Sequence, residues 1–214
     1  MFDHLQTVVA PRLRSLLRVL SIGHFHKKRI VFFSYFGRQY SCNPKYISEY
    51  MQKHYPDYEI VWAFKQPQHF KSLEKRNIKT VKYLYPRFLR ICLTSKFIVT
   101  NSEIPAWFPI MKRQVYINTW HGGGAYKRVG AAYQKETPGK QIRAEIAREM
   151  PCIYVSSSKA FTDLTIHQSF HHYGTILSCG MPRNDMFVRQ NRPQLVSKIR
   201  TYYHLPQDAH ILLY

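Results

Sequence analysis

His121 is followed by Gly122, Gly123 and Gly124, and Lys127 and Arg128 lie within one helical turn of those glycines. An imidazole titrates near neutrality, so a histidine suits proton transfer at physiological pH. Three consecutive glycines remove every side chain from the next positions, and their N–H groups can converge on phosphate oxygens. Lys127 and Arg128 carry the charge that a phosphate needs, and phosphoryl transfer depends mostly on positioning and electrostatics. The pattern reads as a base beside a phosphate site. The plainer alternative is a tight turn before a solvated basic helix start.

A second cluster is Gly180-Met181-Pro182-Arg183-Asn184-Asp185. Arg183 offers a bidentate grip on phosphate. Asn184 and Asp185 either join that grip or cap the helix that follows. A third stretch, Ser34 to Asn43, puts Gly37, Arg38 and Ser41 beside a ligand, or forms only a turn and an N-cap. His-Gly-Gly-Gly also occurs as the oxyanion loop of esterases, but those enzymes need a G-x-S-x-G elbow. Ser156, Ser157 and Ser158 lack the flanking glycines. No P-loop is present, and Gly122, Gly124 and Gly130 miss the dinucleotide-binding spacing.

The elements that hold these clusters follow from periodicity. Short apolar runs of buried-strand type occur at 29–34, 58–64, 78–83, 96–100, 114–119, 152–155 and 174–178. Helical patterns lie between them, at 43–51, 66 onward, 86–94, 139–149, 158–171 and 193–203. Asn43 is expected at an N-cap with Pro44 at the first helical position. Strands alternating with helices predict an α/β, Rossmann-like parallel sheet with helices on both faces. His121 and the Gly180–Asp185 cluster each follow a strand, which places both at the sheet's carboxyl edge. Residues 210–214, HILLY, read as the start of one more strand and of a further domain.

The chain has 214 residues and a net charge of +20, which points to a polyanionic partner. Residues 3–22 are amphipathic, with Leu5, Val9, Leu13, Leu16, Leu17 and Leu20 on one face and His24, His26, Lys27, Lys28 and Arg29 following. Such a helix lies on an anionic membrane surface, or packs on its own domain or on a partner. No run is long and apolar enough to span a bilayer. Cys42, Cys92, Cys152 and Cys179 are far apart and read as reduced thiols. The histidine pairs lack metal-ligand spacing, so no structural metal is expected, and no cofactor is expected either. The aromatics fall within strands rather than among Lys and Arg, which argues against nucleic acid.

NTWHGGGAYKRVG at 118–130 and GMPRND at 180–185 resemble, in order, the two signatures of the CDP-glycerol glycerophosphotransferases of teichoic acid synthesis. RIVFFSYFGRQYSCNPKYISEYM, YEIVWAFKQP and KFIVTNSEIP resemble the segments that precede them. Many members carry Gly-Thr-Pro-Leu-Lys after the histidine, where this chain has three glycines, Ala125 and Tyr126 before Lys127. The resemblance implies the N-terminal, acceptor-side half of a GT-B fold, over about 29–209, after a membrane-facing segment at 1–28. A C-terminal nucleotide-binding domain would begin at 210–214. It implies a metal-free enzyme on the cytoplasmic face of the membrane, transferring glycerol phosphate from CDP-glycerol to a lipid-linked glycerol phosphate or polyol phosphate acceptor, with CMP leaving. His121 would be the base and Arg183, Asn184 and Asp185 cleft residues. A truncated and inactive half-enzyme is the expectation for this length. The alternative is a non-catalytic module that binds an anionic membrane or a polyphosphate.

Overall fold

The computed structural model describes residues 10–21, 24–105, 107–124, 128–130, 145, 150–188, 192–206 and 208–212. In order they form α1 (Ala10–Leu20), β1 (His26–Phe33), α2 (Cys42–His54), β2 (Glu59–Phe64), a 3-10 segment (Pro67–Arg76), β3 (Lys79–Lys82), α3 (Pro86–Thr94), β4 (Ser95–Thr100), β5 (Val115–Asn118) and β6 (Cys152–Ser156). A short α4 (Lys159–Phe161) then widens into a π-helix (Thr162–Ser169), before β7 (Ile176–Ser178), a 3-10 turn (Pro182–Phe187) and α5 (Arg192–Tyr202). All seven strands are parallel, in the order β3–β2–β1–β4–β5–β6–β7.

Both faces of this sheet are covered, which is why its central strands read as unbroken apolar runs. In β1, Val31 and Phe33 point into one core with Leu17 of α1 and Phe88 of α3. Ile30 and Phe32, the alternate positions, point into the other with Trp62, Phe64 and Ile47 of α2. The alternation follows from the two-residue period of a strand. Trp62 donates its indole N–H to Ser48 Oγ (3.1 Å), so α2 is tied to β2 without leaving a buried donor unpaired. From β1 the chain winds to β2 and β3, then returns to the other side of β1 with β4. Connections leave in opposite directions from the carboxyl ends of β1 and β4, and a crevice opens there.

The structure changes four local expectations. The helix expected to start at Asn43 starts at Cys42, with Ser41 at the N-cap position and no side-chain cap bond. Asn43 lies within the first turn, completely buried, because tertiary partners take its amide. On α1, Leu17 and Arg14 face inward, whereas Leu16 is 57% exposed and Val19 60%. Helix α1 packs on its own domain through Leu13 and Leu17, and Leu5 and Val9 lie outside the described residues. Arg128, expected near a helix start, is in irregular backbone. His210, Ile211 and Leu212 form no strand and are exposed, since no sheet neighbour pairs with them. Of the helix expected at 139–149 only Glu145 is described, in helical conformation. All four cysteines are free thiols.

The chain divides into two compact units, residues 1–183 and 184–214. The sheet, both cores and His121 belong to the first. In the second, Arg200 of α5 donates to the Pro206 and Ala209 carbonyls.

Candidate active site

His121 sits just past β5, above the crevice between β1 and β4. Its Nδ1 lies 2.7 Å from the main-chain oxygen of Asn101, which follows β4. A carbonyl only accepts, so Nδ1 must carry the proton. That fixes the tautomer and leaves the Nε2 lone pair free to take a proton. The ring contacts two aromatic side chains: Trp120 at 4.3 Å and 30°, and Tyr35 at 5.4 Å and 56°. Asn101 also orders the Tyr35 side of the site, since its Oδ1 accepts the Tyr35 N–H (2.8 Å).

Local backbone explains how the ring reaches this place. Thr119 N still donates to Thr100 O (2.8 Å), one rung beyond β5. Trp120 then turns into the left-handed region at φ 50, with its N–H bonded to Asn118 Oδ1 (2.9 Å). Tyr35 (φ 47), Phe36 (φ 57) and Cys42 (φ 60) are also left-handed. Such strain in non-glycine residues persists only where surrounding structure imposes it, and it gathers at functional sites.

Asn43 and Arg183 join the loops. Asn43 Nδ2 donates to the carbonyls of Thr119 and Trp120 and to Met181 Sδ, each at 3.3 Å. Asn43 Oδ1 accepts the Arg183 N–H at 3.2 Å. Arg183 Nη1 donates to His121 O (2.8 Å) and to Cys42 Sγ (3.1 Å). Among the described residues, Nη1 alone of the guanidinium nitrogens has a hydrogen bond, so Nε and Nη2 remain for an anion. Burial, then the hydrogen bond with Cys42, pushes the Tyr35 phenol up to about 12, against the lowering effect of Arg183. Tyr35 is therefore a neutral hydroxyl beside the base.

The structure brings His121 and Arg183 together, as the two motifs suggest. Gly122 and Gly123 follow the base in ordinary backbone: a methyl at Gly122 would meet Trp120 Nε1 at 3.5 Å, and one at Gly123 would meet Ser157 Oγ at 3.6 Å. Protein packing does not demand glycine at either. Gly124 continues the same irregular loop, Arg128 is exposed beyond it, and Lys127 lies outside the described residues. Asn184 and Asp185 open the second unit, where the Asp185 carbonyl accepts the Val188 N–H (3.1 Å). In the third stretch Gly37 is structural: φ is +78, and a Cβ would stand 2.9 Å from Tyr83 Cβ. Tyr35 and Asn43 are the two site residues that sequence reasoning missed. Asn43-Pro44 did carry a signal, but one that reads first as a helix cap.

A profile of the CDP-glycerol:poly(glycerophosphate) glycerophosphotransferase family matches residues 15–214. The chain belongs to this family. It is 27% identical to a teichoic acid poly(glycerol phosphate) polymerase of Bacillus subtilis, over 94% of this chain and 27% of that protein. It is 31% identical to the Staphylococcus epidermidis protein of the same name, over 87% of this chain and 26% of that one. The structure of the wall teichoic acid polymerase TagF superposes with a TM-score of 0.75 at 29% identity, covering 97% of this chain and 52% of TagF. A TagF variant soaked with CDPG gives 0.75 at 28% identity. The chain thus spans between a quarter and about half of these relatives' length. As a glycerophosphotransferase family member it has the expected α/β, Rossmann-like sheet, and the match to about half of TagF is that of one half of a GT-B fold.

Proposed function

We propose that this glycerophosphotransferase-family chain forms the acceptor-side half of an enzyme that transfers glycerol phosphate from CDP-glycerol in teichoic acid synthesis. The acceptor is a lipid-linked glycerol phosphate or polyol phosphate. Its hydroxyl gives its proton to His121 Nε2 and attacks the glycerol-bearing phosphorus. The new O–P bond forms as the bond to the cytidine-side phosphate breaks, and CMP leaves with that electron pair. The observation that carries this reading is the 2.7 Å contact between His121 Nδ1 and Asn101 O, which leaves Nε2 as the proton acceptor. Arg183 and the N–H groups of Gly122, Gly123 and Gly124 face the charge on the transferred phosphate.

On this reading, turnover needs a nucleotide-binding half of the kind the longer relatives have room for, and residues 1–214 alone release CMP slowly or not at all. The protein works at the cytoplasmic face of the membrane as a peripheral protein. Support comes from the exposed Leu16 and Val19 on α1 beside the exposed Arg12 and Arg18. The test is CMP release from CDP-glycerol with a lipid-linked acceptor, measured on the full-length enzyme. His121→Ala should lower turnover by about 10²-fold or more, with an unchanged melting curve. Near-normal rates would remove His121 as the base.

A further inference from the structure

The edge of the sheet opposite His121 holds a second candidate site. There a cavity of about 370 Å³ lies between α3 and the first residues of β1, β2 and β3. Arg29, Lys79, Arg87 and Arg90 line it, against one carboxylate, Glu59. That carboxylate is already engaged: Arg29 Nε lies 2.6 Å from it and Lys79 Nζ 2.8 Å. Arg87 and Arg90 stand one helical turn apart on α3, on the same face. Among the described residues, neither guanidinium has an ion pair or a hydrogen bond. Among the described residues, two unpaired guanidinium forks thus face a concavity whose one lining acid is saturated.

The charge excess is felt locally. His26, on the wall of the cavity, has its pKa lowered from the usual histidine value. Burial is the largest cause, and repulsion from Arg29 and His24 comes next, outweighing the attraction of Glu59. The nearby hydroxyls are committed, Thr94 to the Arg90 carbonyl (2.8 Å) and Thr80 to Glu74 (2.7 Å). Recognition here would rest on the guanidinium groups, whose planar donors match phosphate oxygens. The volume has room for a phosphate that carries an organic substituent.

We propose that this cavity is a phosphate-ester site, separate from the reaction at His121, with Arg87 and Arg90 as its anion-binding residues. The ligand's phosphate belongs either to a free glycerol phosphate ester or to a lipid headgroup. The site does not depend on the reaction proposed for His121, and its failure would leave that proposal standing.

The experiment follows the imidazole signals of the 214-residue chain by NMR, with glycerol 3-phosphate as the probe. Saturable binding should raise the His26 pKa, because an anion offsets the part of its lowering that comes from Arg29 and His24. Arg87→Gln with Arg90→Gln should weaken that binding by roughly tenfold or more. Both side chains are exposed, so the double variant should fold normally. Lys53→Gln with Lys198→Gln removes equal charge from exposed positions outside the cavity and should leave the His26 response within about twofold, the size of a screened surface effect. Vesicles of phosphatidylglycerol and phosphatidylcholine form the second arm, with pure phosphatidylcholine as the blank. An Arg87/Arg90-dependent response to the vesicles alone assigns the phosphate to a lipid headgroup. A response to glycerol 3-phosphate assigns it to a free ester. If neither probe moves His26, or if both double variants weaken binding equally, the site is refuted and only diffuse charge remains.

Discussion

Asn43 carries neither charge nor nucleophile, yet its amide touches the segment before the base, the methionine of the second motif and the main chain of Arg183. Removing it takes a donor from the Thr119 and Trp120 carbonyls, the second of which keeps the Thr119 hydroxyl (3.1 Å), and the acceptor from the Arg183 N–H. Asn43→Ala should therefore cost roughly 1–3 kcal/mol of stability, measurable by urea unfolding. It should also lower turnover by about 10²-fold, the usual result of misplacing a reacting group by an ångström. Asn43→Asp is the sharper variant. It keeps the acceptor for Arg183 but sets a carboxylate against two carbonyls, so turnover should fall at least as far as in Asn43→Ala. Near-normal turnover in Asn43→Asp would show that the Nδ2 donors do not hold the base. This residue also shows what sequence can reveal. His121 and Arg183 were legible because each sits in a contiguous motif whose residue types imply chemistry. Asn43 was not, since its partners lie 76 to 140 positions away and its neighbour Pro44 favours the capping reading.

At the scale of elements, the loop after β5 has two ends with different demands. At the Gly122 end there is room for a methyl group. At the other end Gly130 has φ +55, and a Cβ would stand 2.1 Å from the Ser169 carbonyl, where the π-helix ends. The loop is thus pinned against that helix by a glycine that packing requires, and kept clear near the base by glycines that packing does not require. Gly130→Ala should lower stability by about 1–3 kcal/mol, seen as a lower melting temperature. Gly122→Ala should melt within a few degrees of the parent but, if the proposed phosphate site is right, release CMP markedly more slowly, because its methyl would fill that site. An equal loss of stability in both variants would defeat this division. The strands were readable here because burial on both faces turns them into apolar runs such as Ile30–Phe33. The orientation of α1 was not, because burying Arg14 and exposing Leu16 depends on where α3 lies rather than on the helix's own pattern.

For the molecule as a whole, charge and histidines with lowered pKa values, His172 and His26, shape the response to acid. The chain carries 12 acidic residues against 32 Lys and Arg, and its 11 histidines add positive charge as pH falls. Self-repulsion alone therefore weakens the folded state in acid. His172 adds a specific contribution. Its ring packs on Tyr154 (4.8 Å) and its buried Nε2 has no hydrogen-bond partner among the described residues. Burial lowers its pKa below the ordinary histidine value, against a hydrogen bond to the Thr175 backbone that raises it, and the His167 charge adds to the lowering. A histidine with a lowered folded pKa resists protonation that the unfolded chain accepts. Its contribution is complete above the unfolded pKa of about 6.5 and is lost as pH falls towards the folded value. Urea unfolding from pH 8 down to pH 5 should show stability declining below about pH 6.5. His172→Asn keeps an amide donor near the Thr175 backbone but cannot titrate, so its curve should fall less steeply below about pH 6.5 than the parent's, keeping the decline from self-repulsion, which added salt reduces, and from His26, whose pKa is also lowered. If the parent and His172→Asn lose stability in parallel across that range, the buried imidazole contributes nothing to the acid response.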